Sequence, residues 1–461
     1  MIERISTGSS NLDLILSGGF PRNSINIVMG APGSGKTILA EQLAFANAGP
    51  DCRVLYLSTL SEPLPKLVSY LQSYTFVDIG RIGSDIIYHS LSDHSLREGL
   101  SEDPKRLHAE IFELITKYRP RIIIIDSYKA IADLLPDPQV WRRTSFELAG
   151  MLSAYGTTSF WVGEYTWETG AGPTEFAIAD GIIELQRVQR GSRDERYLRV
   201  AKLRGSSFFD GKHAFWISAG GLHVFPRFVT PPVAPDYQVI RERLQTGVDG
   251  LDAMVQEGWL RGSTTLIQGP SGAGKSMLAL HFLRQGVRDG EPALLVNFQE
   301  NPVQVRRTMR SLGWDPDELL GPSAIDHLYT SPVELQIDTI VEQIFRRIAE
   351  RGIKRVVIDA IGDLEKSAPD RDRFDDYIYS MIQHFAAANV AAVFTVETYR
   401  GHPEHPSIAA DVSYMSDNIV SLSMDLGEDL QRRIRIIKTR GSAHDGRRRI
   451  LHITSQGVSI E

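Results

Sequence analysis

Two eight-residue stretches decide how this chain is read: GAPGSGKT at residues 30–37 and GPSGAGKS at residues 269–276. Both satisfy G-x-x-x-x-G-K-[ST], and both stand between a strand-like run and a helix-like run, where that pattern has a mechanism. SINIVMG and TTLIQG lead in; TILAEQLAFANA and SMLALHFLRQGV lead out. Gly30, Gly33 and Gly35, and likewise Gly269, Gly272 and Gly274, let the backbone curl. Successive N–H groups, those of Ser34 and Ala273 included, then face inward, and the following helix adds its positive end. Such a loop fits a triphosphate. Lys36 and Lys275 are expected to neutralise the β- and γ-phosphates, and Thr37 and Ser276 to place a hydroxyl on Mg2+. Asp126 at the end of RIIIID and Asp359 at the end of RVVID supply a carboxylate at a strand tip, suited to hold the same Mg2+ through water.

The two loops belong to a larger repeat. STGSSNLDLILSGGFPRNSINIVMGAPGSGKT aligns without a gap on QTGVDGLDAMVQEGWLRGSTTLIQGPSGAGKS, pairing Thr7 with Thr246, Asp13 with Asp252, Gly19 with Gly258 and Lys36 with Lys275, each 239 residues apart. Between the copies, FPRFVTPPVAPDYQ carries four prolines and reads as a short stiff connector. Residues 1–234 are therefore expected to form one domain and residues 235–461 a second, with the boundary at Pro235. Runs such as RIIIID and RVVID lack polar alternation, as parallel strands covered on both faces do. The fold class is α/β, with a mainly parallel β-sheet flanked by helices in each half.

Composition narrows the function. A hydrophobic fraction of 42% and a charged fraction of 23% describe an ordinary soluble protein, and no apolar run is long enough to span a membrane. The N-terminus shows no secretory signal, and the single Cys52 fits a reducing compartment, so a cytoplasmic location is expected. A formal charge of −7 argues against nucleic acid as a partner. The basic runs RRIRIIKTR and GRRRI read as solvated strand faces.

The copies differ where chemistry is decided. Phosphoryl transfer needs a group that orients or deprotonates the nucleophile, and a carboxylate at the neighbouring strand end is well placed for it. NFQENP offers Glu300 there, whereas the same columns in the first copy hold Leu60 and Ser61. Glu62 lies one residue along and replaces the missing base only if the strand has already ended, because in an extended strand that step turns it to the opposite face. The first site is expected to bind nucleotide and barely hydrolyse it.

The duplicated TG…LD…GG opening, the two P-loops, the strand-end glutamate position followed by Pro, and the closing elements KLRGSS and KTRGSAHD resemble the KaiC family of double RecA-like ATPases over essentially the whole chain. That resemblance implies two tandem RecA-like domains, ATP as the nucleotide with Mg2+, and a homohexamer with nucleotide between neighbouring subunits. It also implies that Lys202 and Arg204, and likewise Lys438 and Arg440, reach the γ-phosphate of the adjacent subunit in the role of an arginine finger. The family places adjacent Ser and Thr phosphoacceptors before a short strand; here ADVSYMSDNIVSL puts Ser413 in the serine position and Tyr414 where threonine would be. A phenol oxygen sits too far out to replace a short hydroxyl in an in-line attack, so Ser413 is the expected acceptor.

Two departures are expected to matter. Family members carry a pair of glutamates at both strand ends, and the segment through which clock members respond to KaiA has no counterpart after Glu461. Control by KaiA is thus not expected, while a KaiB-like or other signalling protein is an expected partner. The competing readings are a DNA-dependent RecA-like motor, opposed by the acidic charge, and a nucleotide-locked scaffold that turns over little.

Overall fold

The structure, a computed structural model, describes residues 3–59, 64–91, 105–135, 137–167, 173–190, 193–231, 241–368, 370–398, 408–426 and 430–461. Leu60, Ser61, Glu62 and the expected boundary at Pro235 lie outside the described residues. The chain divides into two compact units, Met1–Arg227 and Phe228–Glu461.

Each unit is built on one nine-stranded sheet. In the first unit the strand order is Gly221–Phe225, Lys212–Ser218, Arg193–Leu203, Gly181–Arg190, Ile25–Gly30, Thr158–Gly163, Ile122–Asp126, Val54–Ser58 and Ile86–Ser90. The last six run parallel and the first three pair antiparallel at one edge. The second unit repeats this order: Gly457–Ile460, Arg449–Thr454, Leu430–Thr439, Asn418–Leu426, Thr264–Gly269, Ala391–Glu397, Arg355–Asp359, Ala293–Asn297 and Ile325–Tyr329.

The isoleucine run of the first unit shows why such strands lack polar alternation. Ile122 and Ile124 face one hydrophobic cluster, with Leu39, Leu43 and Val28, while Ile123 and Ile125 face another, with Ile27, Leu148 and Trp161. Both faces are covered by helices, so both sets of side chains leave water. In the second unit Val357 packs on one face and Val356 and Ile358 on the other. No described helix is long and apolar enough to cross a membrane.

The repeated opening also acquires a reason. The Thr7 N–H donates to Asp13 Oδ1 at 2.7 Å, and the Thr246 N–H donates to Asp252 Oδ1 at 2.8 Å. Each aspartate thereby ties its short helix, Ser10–Ile15 or Asp249–Met254, to the turn before it. Two of the flanking helices start at defined caps. Asn301 forms a capping box with Gln304 ahead of Pro302–Ser311, and Asp137 caps Pro138–Ala154, with proline at the first helical position of each.

Candidate nucleotide sites

Both P-loops leave the carboxyl end of their strands and turn directly into a helix, Lys36–Asn47 or Lys275–Arg288. The turn depends on Gly35 and Gly274, which hold φ of 104° and 102° at the helix N-caps. A Cβ there would lie 2.8 Å from the Cδ1 of Ile217 or Ile453, side-chain tips that can move aside, so it is the positive φ that calls for glycine.

In the first site Lys36 folds back into the loop, donating to the Gly30 and Ala31 carbonyls at 2.9 Å each. Its Nζ is 4.0 Å from Glu164 Oε1. Burial pulls this ammonium below the ordinary lysine range, against the opposing pull of Glu164 and Asp126. Ser34 Oγ is buried with no hydrogen-bond partner among the described residues. A buried cation held by neutral carbonyls, beside an orphaned hydroxyl at a helix N-terminus, fits a polyphosphate. Thr37 Oγ1 donates to Asp126 Oδ2 at 2.8 Å, and the Tyr56 hydroxyl donates to the same oxygen at 3.0 Å. Burial raises the Asp126 carboxyl, while those two bonds lower it. Behind Tyr56 lies Glu41, pushed up to about 8 by burial and bonded by the Tyr88 hydroxyl at 2.6 Å.

The second site repeats the loop and varies its surroundings. Lys275 donates to the Gly269 and Pro270 carbonyls at 2.9 Å each, and burial lowers its ammonium against the attraction of Glu397 and Asp359. Asp359 accepts from the Thr395 hydroxyl, with no equivalent of the Tyr56 bond, since Leu295 occupies that column. Glu300 is half-buried just past the strand Ala293–Asn297. Burial and the nearby Asp359 carboxylate raise its proton affinity, as suits a base. Gln299 is turned away, its Nε2 donating to Asp363 Oδ2 at 2.9 Å.

Among the described residues no cluster of three His, Cys, Asp or Glu could hold a metal alone. The pairs Thr37 with Asp126 and Ser276 with Asp359 suit Mg2+ only when phosphate oxygens and water complete its shell.

The remaining expected residues stand at the other end of the sheet. Lys202 pairs with Ile182, which pairs with Ile27, three residues before Gly30. Lys438 pairs with Ile419, which pairs with Leu266, three residues before Gly269. At about 3.3 Å per residue each lysine is set back about 10 Å along the strands from its own P-loop. Lys438 Nζ donates to the Ser413 and Ser416 carbonyls at 3.0 and 2.6 Å, and Arg440 to the Tyr414 carbonyl at 2.5 Å. Lys202 and Arg204 do the same with the Phe176 and Ala177 carbonyls, at 3.0 and 3.4 Å. The structure thus gathers Lys438, Arg440 and Ser413 into one cluster, apart from Lys275 and Glu300. Ser413 lies in the helix Ile408–Met415 ahead of the strand Asn418–Leu426.

Several residues of the sites escaped the sequence pattern. Glu164 and Glu397 sit at equivalent strand tips beside the P-loop strands, where Gly269 pairs with Glu397. The matching endings VGE and TVE of the two copies were the available signal. Tyr56, a tyrosine inside an apolar strand, had none.

Comparison with known proteins agrees with this architecture. The family description "ATPase: KaiC" matches residues 5–228 and again residues 244–461. The circadian clock oscillator protein KaiC of Rippkaea orientalis is 27% identical over 470 residues, covering 100% of this chain and 89% of that protein. Those of Picosynechococcus sp. and Thermostichus vulcanus are each 27% identical over 472 residues, covering 90% and 89% of their lengths. With both halves matched and two P-loop sheets of one design, this chain belongs to the KaiC ATPase family.

Proposed function

We propose that the second unit is an ATPase and serine kinase completed by a neighbouring copy of the same chain, and that the first unit binds ATP chiefly to hold copies together. The observation that carries this reading is the cluster of Lys438, Arg440 and Ser413 at the end of the sheet away from Lys275 and Glu300. A chain that carries the phosphate cradle at one end and cations with a hydroxyl at the other is complementary to a second copy packed head to tail. In such an assembly, which we take to be a hexamer, the loop at residues 269–276 of one chain holds the Mg-ATP phosphates. Lys438 and Arg440 of the next chain offset charge developing on the γ-phosphoryl group. Glu300 accepts a proton from water, or from the Ser413 hydroxyl of that neighbour. The nucleophile's oxygen then bonds to phosphorus as the bond to the ADP oxygen breaks. Mg2+ supplies charge neutralisation at the phosphates.

In the first unit the residue that receives the lysine bond is Phe176, where the second unit has Ser413. That position has no hydroxyl to phosphorylate, and the Glu300 column holds Ser61. Both differences support a first site that binds rather than transfers. The reading also includes a cytoplasmic setting and a KaiB-like or other signalling partner that reads the phosphorylated state, because added phosphate places about two negative charges beside Lys438 and Arg440.

Incubation with Mg-ATP followed by peptide mass spectrometry tests the kinase step. Phosphate on Ser413 that disappears in Glu300→Gln is the expected result. An unmodified peptide spanning residues 410–417 in assemblies that hydrolyse ATP would overturn it.

A further inference from the structure

The first unit holds a cavity of 480 Å3 at the carboxyl end of its sheet, beside the P-loop site and distinct from the loop itself. Its wall includes Glu175, 97% removed from solvent by its 3% exposure, on the short helix Thr174–Ile178. Glu175 Oε1 accepts from Trp141 Nε1 at 2.8 Å and from the Tyr165 hydroxyl at 3.3 Å. Both donors are neutral, and no described Lys, Arg or His lies within ion-pair distance of this carboxylate. Burying a carboxylate without a cation is costly.

The second unit shows that the fold does not need this arrangement. The helices Pro138–Ala154 and Arg371–Ala387 correspond, which places Phe374 at the Trp141 position. The lysine bonds to the Phe176 and Ser413 carbonyls fix the other correspondence, which places Val412 at the Glu175 position. Phe374 and Val412 are fully buried in the hydrophobic core of that unit. Two copies of one architecture therefore fill the same place with hydrocarbon in one case and with a carboxylate and its donors in the other. Hydrocarbon is the arrangement that costs less, so the polar version is retained for something other than folding.

We propose that this cavity binds a small organic cation, an aliphatic ammonium or guanidinium on an apolar stem. Glu175 and Glu164 both line it; Glu164 also stands 4.0 Å from the Lys36 ammonium, whereas Glu175 faces no described cation, and the one described lysine on the wall, Lys129, is already paired with Asp133. Trp141 and Tyr165 line it, aromatic rings of the kind that attract a cation, and Leu135 and Pro138 give a stem an apolar surface. The volume lies within the range of about 300–1,000 Å3 usual for small-molecule sites. The open carboxyl end of a parallel sheet is also where such sites form.

Isothermal titration calorimetry of the full chain with saturating Mg-ADP tests this, using 1,5-diaminopentane and butylguanidinium as probes and pentan-1-ol and pentanoate as controls. We expect saturable binding of a cationic probe, with both controls at least about tenfold weaker, as loss of a charged hydrogen bond requires. Glu175→Gln should weaken binding at least about tenfold. The double change Trp141→Phe with Glu175→Val, copied from the second unit, should abolish binding while leaving the melting temperature within about two degrees. No saturable heat from either cation, equal binding of pentan-1-ol, or unchanged binding in the double variant would each overturn the proposal. So would a fall of many degrees in its melting temperature, which would make the polar trio structural.

Discussion

Lys438 is set back about 10 Å along the sheet from its own P-loop, and its ammonium points into the Ser413 and Ser416 carbonyls. On the proposed reading, in which that charge serves the transition state in a neighbouring copy, Lys438→Ala is expected to lower ATP turnover about 10²–10³-fold, the usual loss for one preorganised donor. A loss of that size does not reveal whose site the lysine serves, but mixing variants does. Lys275→Ala chains lack a working cradle, and Lys438→Ala chains lack a working finger. Either variant alone should be nearly inactive. If the finger acts on the neighbour, a random equal mixture forms a complete site wherever a Lys438→Ala chain meets a Lys275→Ala chain in the right order. That is about a quarter of the junctions in a closed head-to-tail ring. Turnover of the co-assembled mixture should therefore recover to about a quarter of the parent rate, read with a coupled phosphate-release assay after subunit exchange. Recovery no greater than the sum of the two variants, with exchange confirmed by native mass spectrometry, would refute action across a subunit boundary.

The two sites should also respond differently to loss of their lysines. Lys275→Ala and Glu300→Gln should each remove most turnover, whereas Lys36→Ala should mainly weaken assembly, because nucleotide bound between copies is linked to association; equal loss of turnover from both lysine changes with assembly intact would sink this asymmetry. His281 gives a pH prediction: its Nδ1–H donates to the Gly247 carbonyl at 3.2 Å, its Nε2 accepts the Val458 N–H at 3.1 Å, and burial lowers its pKa to about 4. Because the folded value lies below the unfolded one, the contribution is complete above about pH 6.5 and is lost as pH falls toward 4, up to about 3 kcal/mol. Urea unfolding between pH 7 and 4 should show that slope in the parent and a flatter one in His281→Gln; identical slopes would remove His281 as the cause.

What could be read from the sequence was whatever is written locally. The P-loops are legible because glycine spacing encodes a backbone path, and Gly35 and Gly274 take up the positive φ that the pattern requires. The parallel sheets are legible because burial on both faces removes polar alternation, as in Ile122–Asp126. Partnerships across distant segments were not legible. Tyr56 reaches Asp126 across 70 residues and Trp141 reaches Glu175 across 34, and neither spacing carries a periodic signal. Ser413 was legible as a motif position but not as a helical residue, since the eight-residue helix that carries it is too short for a periodicity to declare itself. The helix also brings the carbonyls of Ser413 and Tyr414 to Lys438 and Arg440, which no reading of KTRG alone would place there.

If Lys438 and Arg440 act on a neighbouring copy, as proposed, the opposed placement of cradle and finger has a consequence for counting. A two-fold symmetric pair would set like ends together and complete neither centre. A head-to-tail row of n copies completes n−1 centres, and only closure supplies the last one. Turnover per chain should thus climb as rows lengthen on concentration and step up once more when the row becomes a ring. A chain poisoned at one end still lends its other end to a neighbour.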